Sequence, residues 1–546
     1  MMYINPEGGA FVLKEKDASR SLLGGVLILG AGNLAVKLIG LFFKIPLSRQ
    51  LGDLGMGYFN TGYTVYSWLF LVGCTGFPVA ISMLVSEAIA TEKDDRNGAR
   101  RVLFTSLLFL FVIGGAGCLL LLLFADRIAL RIGNPGSAAA IASIAPAVLF
   151  CSLSGGIRGY FQGKKRMGPT AVSQLIEAVL KLALGIAFAR RALVMGYALP
   201  YAAAAAIRGV TVGCAASSVF LFLELLFERE RVPIKYKGRK REQSGGVSRR
   251  LFCLAMPVTF SAFVTSVTGL IDLLFVMKRL VASGMTVDGA TALFGNYTTL
   301  AVPFFNLPGI LISPIATGVV PYVSGDLARG DGVEADKRCR SALRFAAVVS
   351  IPAAIALGVF GERILSLFFL PGSAALAAPT LAVLSPGIVF LALTTVSSSI
   401  LQARGRAWIT VVAMLLGSAV KVAGGYYLIG VPRVGIYGAA IGTVLCYAVA
   451  ASVDLIALSV GQKKRLGVGE VFRPILPAAL SFSLGFLLLT MVPDRTSAFS
   501  TLLLLSVSGA LYLPLSFLFG SVKREDVGSI PFLKWFFDRK SLKRTE

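Results

Sequence analysis

The sequence predicts an all-α integral membrane protein of about fourteen transmembrane helices, in two six-helix lobes of the same orientation followed by a C-terminal helix pair. Three observations carry this prediction. The 546 residues are 56% hydrophobic and 15% charged, with a mean hydropathy of +0.78, too apolar for a soluble fold of this size. Most of the apolar residues fall in runs of about twenty, the length a helix needs to cross the hydrocarbon core. Finally, Pro146–Gly185 and Pro386–Gly425, a constant 240 residues apart, align without a gap and share 11 of 40 residues, among them Gln162, Arg166, Thr170, Lys181 and Gly185.

Taken in order, the spans are expected at 22–48, 58–89, 102–124, 138–162, 169–189, 197–227, 251–277, 291–324, 343–360, 378–402, 407–429, 435–460, 472–492 and 498–520. The first is too long, and too poorly followed by small residues, for a removable signal, so it is expected to be retained. Pro78 in the second span and Pro303, Pro308, Pro314 and Pro321 in the eighth predict bends there. The repeat makes spans four and five the counterparts of ten and eleven. The expected organisation is a tail over 1–21, a first lobe over 22–228, a basic linker over 229–250, a second lobe over 251–460, the last two spans with their preceding loop over 461–520, and a basic tail over 521–546. An even number of spans per lobe gives both lobes the same orientation, as in transporters whose substrate site lies at the repeat interface.

The charge distribution sets the topology. When the end residues of a span are counted with its loop, 37 of the 53 bases fall on one side, ten on the other and six within spans. By the positive-inside rule both termini face the cytoplasm of a multi-pass protein in the cytoplasmic membrane. The net charge of +25 does not point to nucleic acid, because the bases sit in short loops between apolar runs. The stretch Glu228–Arg250, which contains the linker, carries nine bases against three acids and is expected to attract anionic lipid head groups.

Charged residues at membrane depth are costly and mark pathways or buried pairs. In the first lobe these are Lys37, Lys44, Arg158, Lys181 and Arg208 against one mid-span acid, Glu177. Lys37 and Lys44 are seven residues apart on one helix face; Lys44 either snorkels to the interface or stands at a cavity mouth. Arg158, near a span end, is expected to snorkel. Glu177 and Lys181 have the i,i+4 spacing of a local ion pair. Lys37, Lys181 and Arg208 are expected to form a basic cavity cluster suited to a compact multivalent anion such as a phosphate or diphosphate ester. In the second lobe Asp272 faces two readings: a buried ion pair with Lys421, or a site for a coupling proton or sodium ion with which Lys421 competes. The seven cysteines are scattered, no CxxC occurs and histidine is absent, so structural zinc and disulfides are not expected. No GxxxxGK[ST], HExxH or GxSxG is present, and no catalytic residue or cofactor is expected.

The stretch NLAVKLIGLFFKIPLSRQLGDLGMGYFN in the first span, TGFPVAISMLVSEAIA at the end of the second and YFQGKKRMGPTAVSQLIEAVLKL across spans four and five resemble the MOP exporter superfamily. Within it the chain is most similar to the polysaccharide-transport branch and its stage V sporulation protein B group, relatives of MurJ-type lipid II flippases. The resemblance covers about residues 20–520 and implies the MOP flippase fold. It also implies translocation of an undecaprenyl-diphosphate-linked saccharide, such as a peptidoglycan precursor, to the outer leaflet. Lys37 and Arg49 match basic positions of the family's first-span motif, while a further basic position of it is Phe43 here, with Lys44 beside it. The family's last two spans form a groove for the lipid tail. Two other classes remain open from sequence: a cation-coupled small-molecule exporter of the same fold, and a non-transporting scaffold in spore or envelope assembly.

Overall fold

The computed structural model describes residues 10–71, 76–91, 96–230, 244–460, 468–489 and 497–521. The first half of the chain holds α1 (Ala10–Leu71), α2 (Phe77–Thr91), α3 (Arg96–Ile132), α4 (Ala138–Gly163), α5 (Gly168–Val194), α6 (Leu199–Glu230) and α7 (Ser244–Ala282). Then come α8 (Val287–Asn296), a π-helical turn at Tyr297–Ala301, α9 (Val302–Ala328), α10 (Gly332–Val359), α11 (Gly361–Ser366), α12 (Pro371–Ala403) and α13 (Ala407–Ile429). The chain closes with α14 (Tyr437–Ser459), α15 (Val468–Phe472), α16 (Ile475–Leu489) and α17 (Ala498–Leu518). No strand occurs among the described residues, and eleven of their helices are long and apolar enough to cross a membrane. A helix satisfies its own backbone donors and acceptors, the requirement hydrocarbon imposes. Two units divide the chain within α7, Met1–Ser266 and Val267–Glu546. The core of the expected basic linker (231–243), the ends of both tails (1–9 and 522–546) and the loop 461–467 lie outside the described residues, and with them most of the bases expected to meet anionic lipid.

Two expected spans take a different form. The first span and the start of the second lie on one long element, α1, which breaks at Gly52. There φ is 64°, a left-handed value that only glycine adopts without strain. The rest of the second span is α2, on the far side of residues 72–75. In the eighth span the prolines leave the helix continuous through α9, and the irregularity is the π turn just ahead of Pro303. A proline ring collides with the carbonyl four residues back, and the looser π turn is a low-strain way to admit it.

The repeat is visible in the backbone. The α4–α5 turn places Lys165 at φ 60°, and the α12–α13 turn, 240 residues on, places Gly405 at φ 72°. Both turns close with the same hydrogen bonds: Lys165 N–H to Gln162 O (2.8 Å) and Arg166 N–H to Phe161 O (2.9 Å), against Gly405 N–H to Gln402 O (3.0 Å) and Arg406 N–H to Leu401 O (2.8 Å). Each turn is also tied by an acid: Lys164 to Glu228 at 2.9 Å, and its counterpart Arg404 to Asp336 at 2.6 Å.

In the first unit α5 and α6 pack through glycines. A Cβ on Gly209 would lie 2.3 Å from Gly185 N, and one on Gly213 would lie 2.8 Å from Glu177 O. Small residues let helix backbones approach closely where lipid supplies no hydrophobic drive between helices. The close approach draws the polar side chains of α4, α5 and α6 into one seam.

Candidate functional site

The seam in the first unit is built on Arg158 of α4. Its guanidinium donates to Ser173 Oγ (2.9 Å) and Glu177 Oε2 (3.0 Å) on α5 and to Ser217 Oγ (2.9 Å) on α6. At 7% exposure Arg158 does not snorkel, which corrects the expectation from its place near a helix end. The physical reason is the short α4–α5 turn: residues at equal distances from it lie level, which brings 158 to 173 and, one turn deeper, to 177. A planar fork of five donors then meets a carboxylate and two hydroxyls.

Arg158 thereby engages the acid whose spacing suggested Lys181 as partner. Lys181, one turn beyond Glu177, lies with its Nζ 5.8 Å from the centre of the Phe43 ring and 5.7 Å from that of Tyr63, both on α1. Tyr63 and Glu177 both lie within electrostatic reach of Lys181. Gly185 makes room for this arrangement, because a Cβ there would lie 2.8 Å from the Phe43 ring. Phe43, Phe59, Tyr63, Tyr66 and Phe70 form a ladder along α1 with ring centres 5.5 to 5.9 Å apart. Lys44, half-buried on α1, lies within electrostatic reach of Lys181. The structure thus brings Lys44 within electrostatic reach of Lys181, whose Nζ lies over two rings, and brings Glu177 to Arg158. Lys37 and Arg49 are exposed on α1. Arg208 is exposed on α6, on a stripe with Tyr201, Val212 and Val219, beside the Gly209 face that packs on α5.

The second unit holds a different arrangement. Lys421 of α13, 2% exposed, donates to Asp272 Oδ2 of α7 at 2.9 Å, and Tyr297 Oη of the π turn donates to the same oxygen at 3.3 Å. Gly442 leaves space for the lysine stem, with a would-be Cβ 3.4 Å from Lys421 Cγ. Of the two readings of Asp272, the conformation seen is the buried ion pair.

Sequence reasoning missed several members of these seams. Tyr63, Tyr66 and Ser217 are not singled out, and Cys151 and Cys214 enter only among the scattered cysteines. Counting outward from the four-residue turn between α4 and α5 would have put Arg158 level with Ser173. Asp454 of α14, fully buried, accepts from Ser397 and Ser398 at 3.1 Å each. It was missed because it lies near a span end.

Both seams sit inside multi-helix membrane units, and known proteins share this build. Residues 22–325 match the family described as polysaccharide biosynthesis protein, and residues 257–427 match MatE. Stage V sporulation protein B of Bacillus subtilis (strain 168) is 24% identical over 525 residues, covering 94% of this chain and 99% of its own length. Lipid II flippase MurJ of the same organism is 23% identical over 427 residues, 74% of this chain and 76% of its own. Among solved structures, lipid II flippase MurJ in an inward closed conformation superposes with a TM-score of 0.68 at 14% identity, over 90% of this chain and 98% of that one. An inward-facing multidrug resistance MATE family transporter of the MOP superfamily gives 0.60 at 15% identity, over 78% and 97%.

Fold and buried charge together define a multi-pass α-helical membrane protein with the fold of the MOP superfamily, whose members named here are transporters and flippases rather than enzymes. The chain belongs to the polysaccharide biosynthesis protein family.

Proposed function

We propose that the protein is a flippase that moves an undecaprenyl-diphosphate-linked saccharide, a peptidoglycan precursor such as lipid II or another envelope polysaccharide intermediate, across the cytoplasmic membrane by alternating access. The observation that carries the reading is that Lys44 lies within electrostatic reach of Lys181, where Arg158 already engages the nearby acid. Two like charges in a low-dielectric setting repel each other, and a dianionic diphosphate relieves that repulsion by bridging them. Likeness to the lipid II flippase over three quarters of both chains supports the same substrate class. Lys37, Arg49 and Arg208 are proposed as further bases met by the diphosphate on its way in or out. The last two helices, α16 and α17, are proposed to hold the prenyl chain. Asp272 is proposed to couple transport to a proton or sodium ion when Lys421 releases it.

The test is leaflet transfer of a lipid-linked precursor in proteoliposomes. Lys44→Ala with Lys181→Ala is expected to abolish transfer while the protein still inserts and elutes as a single species. Wild-type transfer in that variant would remove the site. A second arm with Lys37→Ala and Arg208→Ala asks whether the exposed bases contribute, and transfer reduced but not lost is expected there.

A further inference from the structure

Beside the two lysines lies a cluster that substrate binding does not use. The Cys151 thiol of α4 donates to Cys214 Sγ of α6 at 3.3 Å, and the Cys214 thiol donates to Glu177 Oε1 of α5 at 3.8 Å. Tyr66 Oη of α1 lies 2.8 Å from Cys151 Sγ and 3.7 Å from Cys214 Sγ. One ligand atom from each of Cys151, Cys214 and Glu177 falls within 4.8 Å of the other two. Both cysteines are buried, while the Glu177 side chain keeps 22% exposure.

We propose that Cys151, Cys214 and Glu177 form a binding site for a thiophilic divalent d10 ion of the zinc class. Three lines of chemistry converge on it. Two sulfurs and a carboxylate are a ligand set that zinc accepts, with a fourth position open to water or to Tyr66. A tetrahedral zinc with these ligands has S···S edges of about 3.8 Å and S···O edges of about 3.5 Å, so the observed 3.3 and 3.8 Å need shifts of about half an ångström, and the third edge, which lies within 4.8 Å, needs a closing of at most about 1.3 Å. Charge is also conserved. Without metal the cluster holds two neutral thiols, one carboxylate and the Arg158 guanidinium paired to it, and is neutral. On binding, the two thiol protons leave to water and the dication takes their place between two thiolates and the carboxylate, so the site is neutral again. A buried site that is neutral both empty and filled avoids the penalty of an uncompensated charge at membrane depth. The exposed edge of Glu177 gives the ion its way in. Once bound, the ion would join α4, α5 and α6 by direct bonds one turn from Lys181.

The experiment uses the full-length chain purified in detergent, stripped of metal with a chelator and titrated with cadmium alone. A thiolate-to-cadmium charge-transfer absorption that saturates at one ion per chain, and that zinc then displaces, is expected. Cys151→Ser with Cys214→Ser is expected to remove it. A variant with the other five cysteines changed to serine is expected to keep it, and Glu177→Gln to weaken binding by about tenfold or more. Size-exclusion profiles establish that each variant is folded, and Cys214→Ser alone serves if the double variant is not. No saturable absorption, or one unchanged in the Cys214→Ser protein, would overturn the proposal. So would peptide mass mapping that finds Cys151 and Cys214 joined as a disulfide in protein purified without reductant. The readout is metal binding, so its failure leaves the flippase reading untouched, and failure of transfer leaves the metal site untouched.

Discussion

Lys181 and Lys421 occupy the same place in the repeat, 240 residues apart, and the two units use them in opposite ways. Lys421 is closed in: 2% exposed and salt-bridged to Asp272, which Tyr297 also holds. Lys181 is half-buried between two aromatic faces, and its neighbouring acid is engaged by Arg158. At the position that holds Arg158 in the first unit, the second has Ser398, and where the first has Glu177 the second has Gly417. Removing the acid from α13 leaves Lys421 to find its counter-ion on α7; adding an arginine to α4 takes the acid away from Lys181. A carboxylate is a strong, fixed partner, whereas ring faces are weak ones, worth about 0.5 to 2 kcal/mol to a cation. The comparison teaches that one lysine is held by a fixed carboxylate and the other by ring faces, which makes the second the easier of the two to pass to the anionic ligand proposed above.

The largest test of that contrast is to break the closed pair. Asp272→Ala or Lys421→Ala alone is expected to lower stability by about 3–5 kcal/mol, because each leaves a buried charge uncompensated. The apolar double replacement Asp272→Leu with Lys421→Met is expected to recover most of that loss. Thermal unfolding of the purified proteins followed by fluorescence measures both, and a costless single variant would show the pair to be dispensable.

Next comes the guanidinium. Arg158→Met is expected to cost about 1.5–3 kcal/mol, the worth of hydrogen bonds to a charged group. It also turns Glu177 toward Lys181, so leaflet transfer should fall although Lys181 itself is intact. Adding Glu177→Gln should restore part of the transfer, and its failure to do so would separate Arg158 from the control of Lys181.

Lys181→Ala should behave as the opposite of Lys421→Ala. A stability loss of about 1 kcal/mol or less is expected, in line with lost cation–π contacts, together with loss of transfer. Equal destabilisation by the two alanine variants in the same unfolding assay would erase the distinction between the units.

The smallest effect concerns the turns the two units share. Lys165 holds a left-handed conformation that Gly405 occupies at the equivalent place. Lys165→Gly is expected to gain, and Gly405→Lys to lose, about 1 kcal/mol in unfolding experiments. Stability changes of the same sign for the two swaps would show that the turns are not equivalent in energy.

Much of this was legible in the chain. Hydropathy marked the membrane helices, and an ungapped repeat of 11 matches in 40 paired the two segments whose turns close alike. The Asp272–Lys421 pair was legible because each unpaired charge at depth must find an opposite one. The assignment of Glu177 was not. Spacing along one helix offers Lys181 as its partner, while the stronger bidentate-capable donor lies 19 residues away on α4. Likewise the cysteines, far apart in sequence and without any motif, carried no sign that two of them approach to 3.3 Å.

What the sequence determined by itself is the class: apolar runs long enough to span the membrane, the repeat, and an excess of bases in the first half. These are local or periodic properties, written in consecutive residues. Only the tertiary structure decided which of those bases are spoken for. That choice depends on how closely the glycines of α5 and α6 let the helices approach and on the level at which a short turn sets α4 against α5. Both are distances between segments, which spacing along a single helix does not contain.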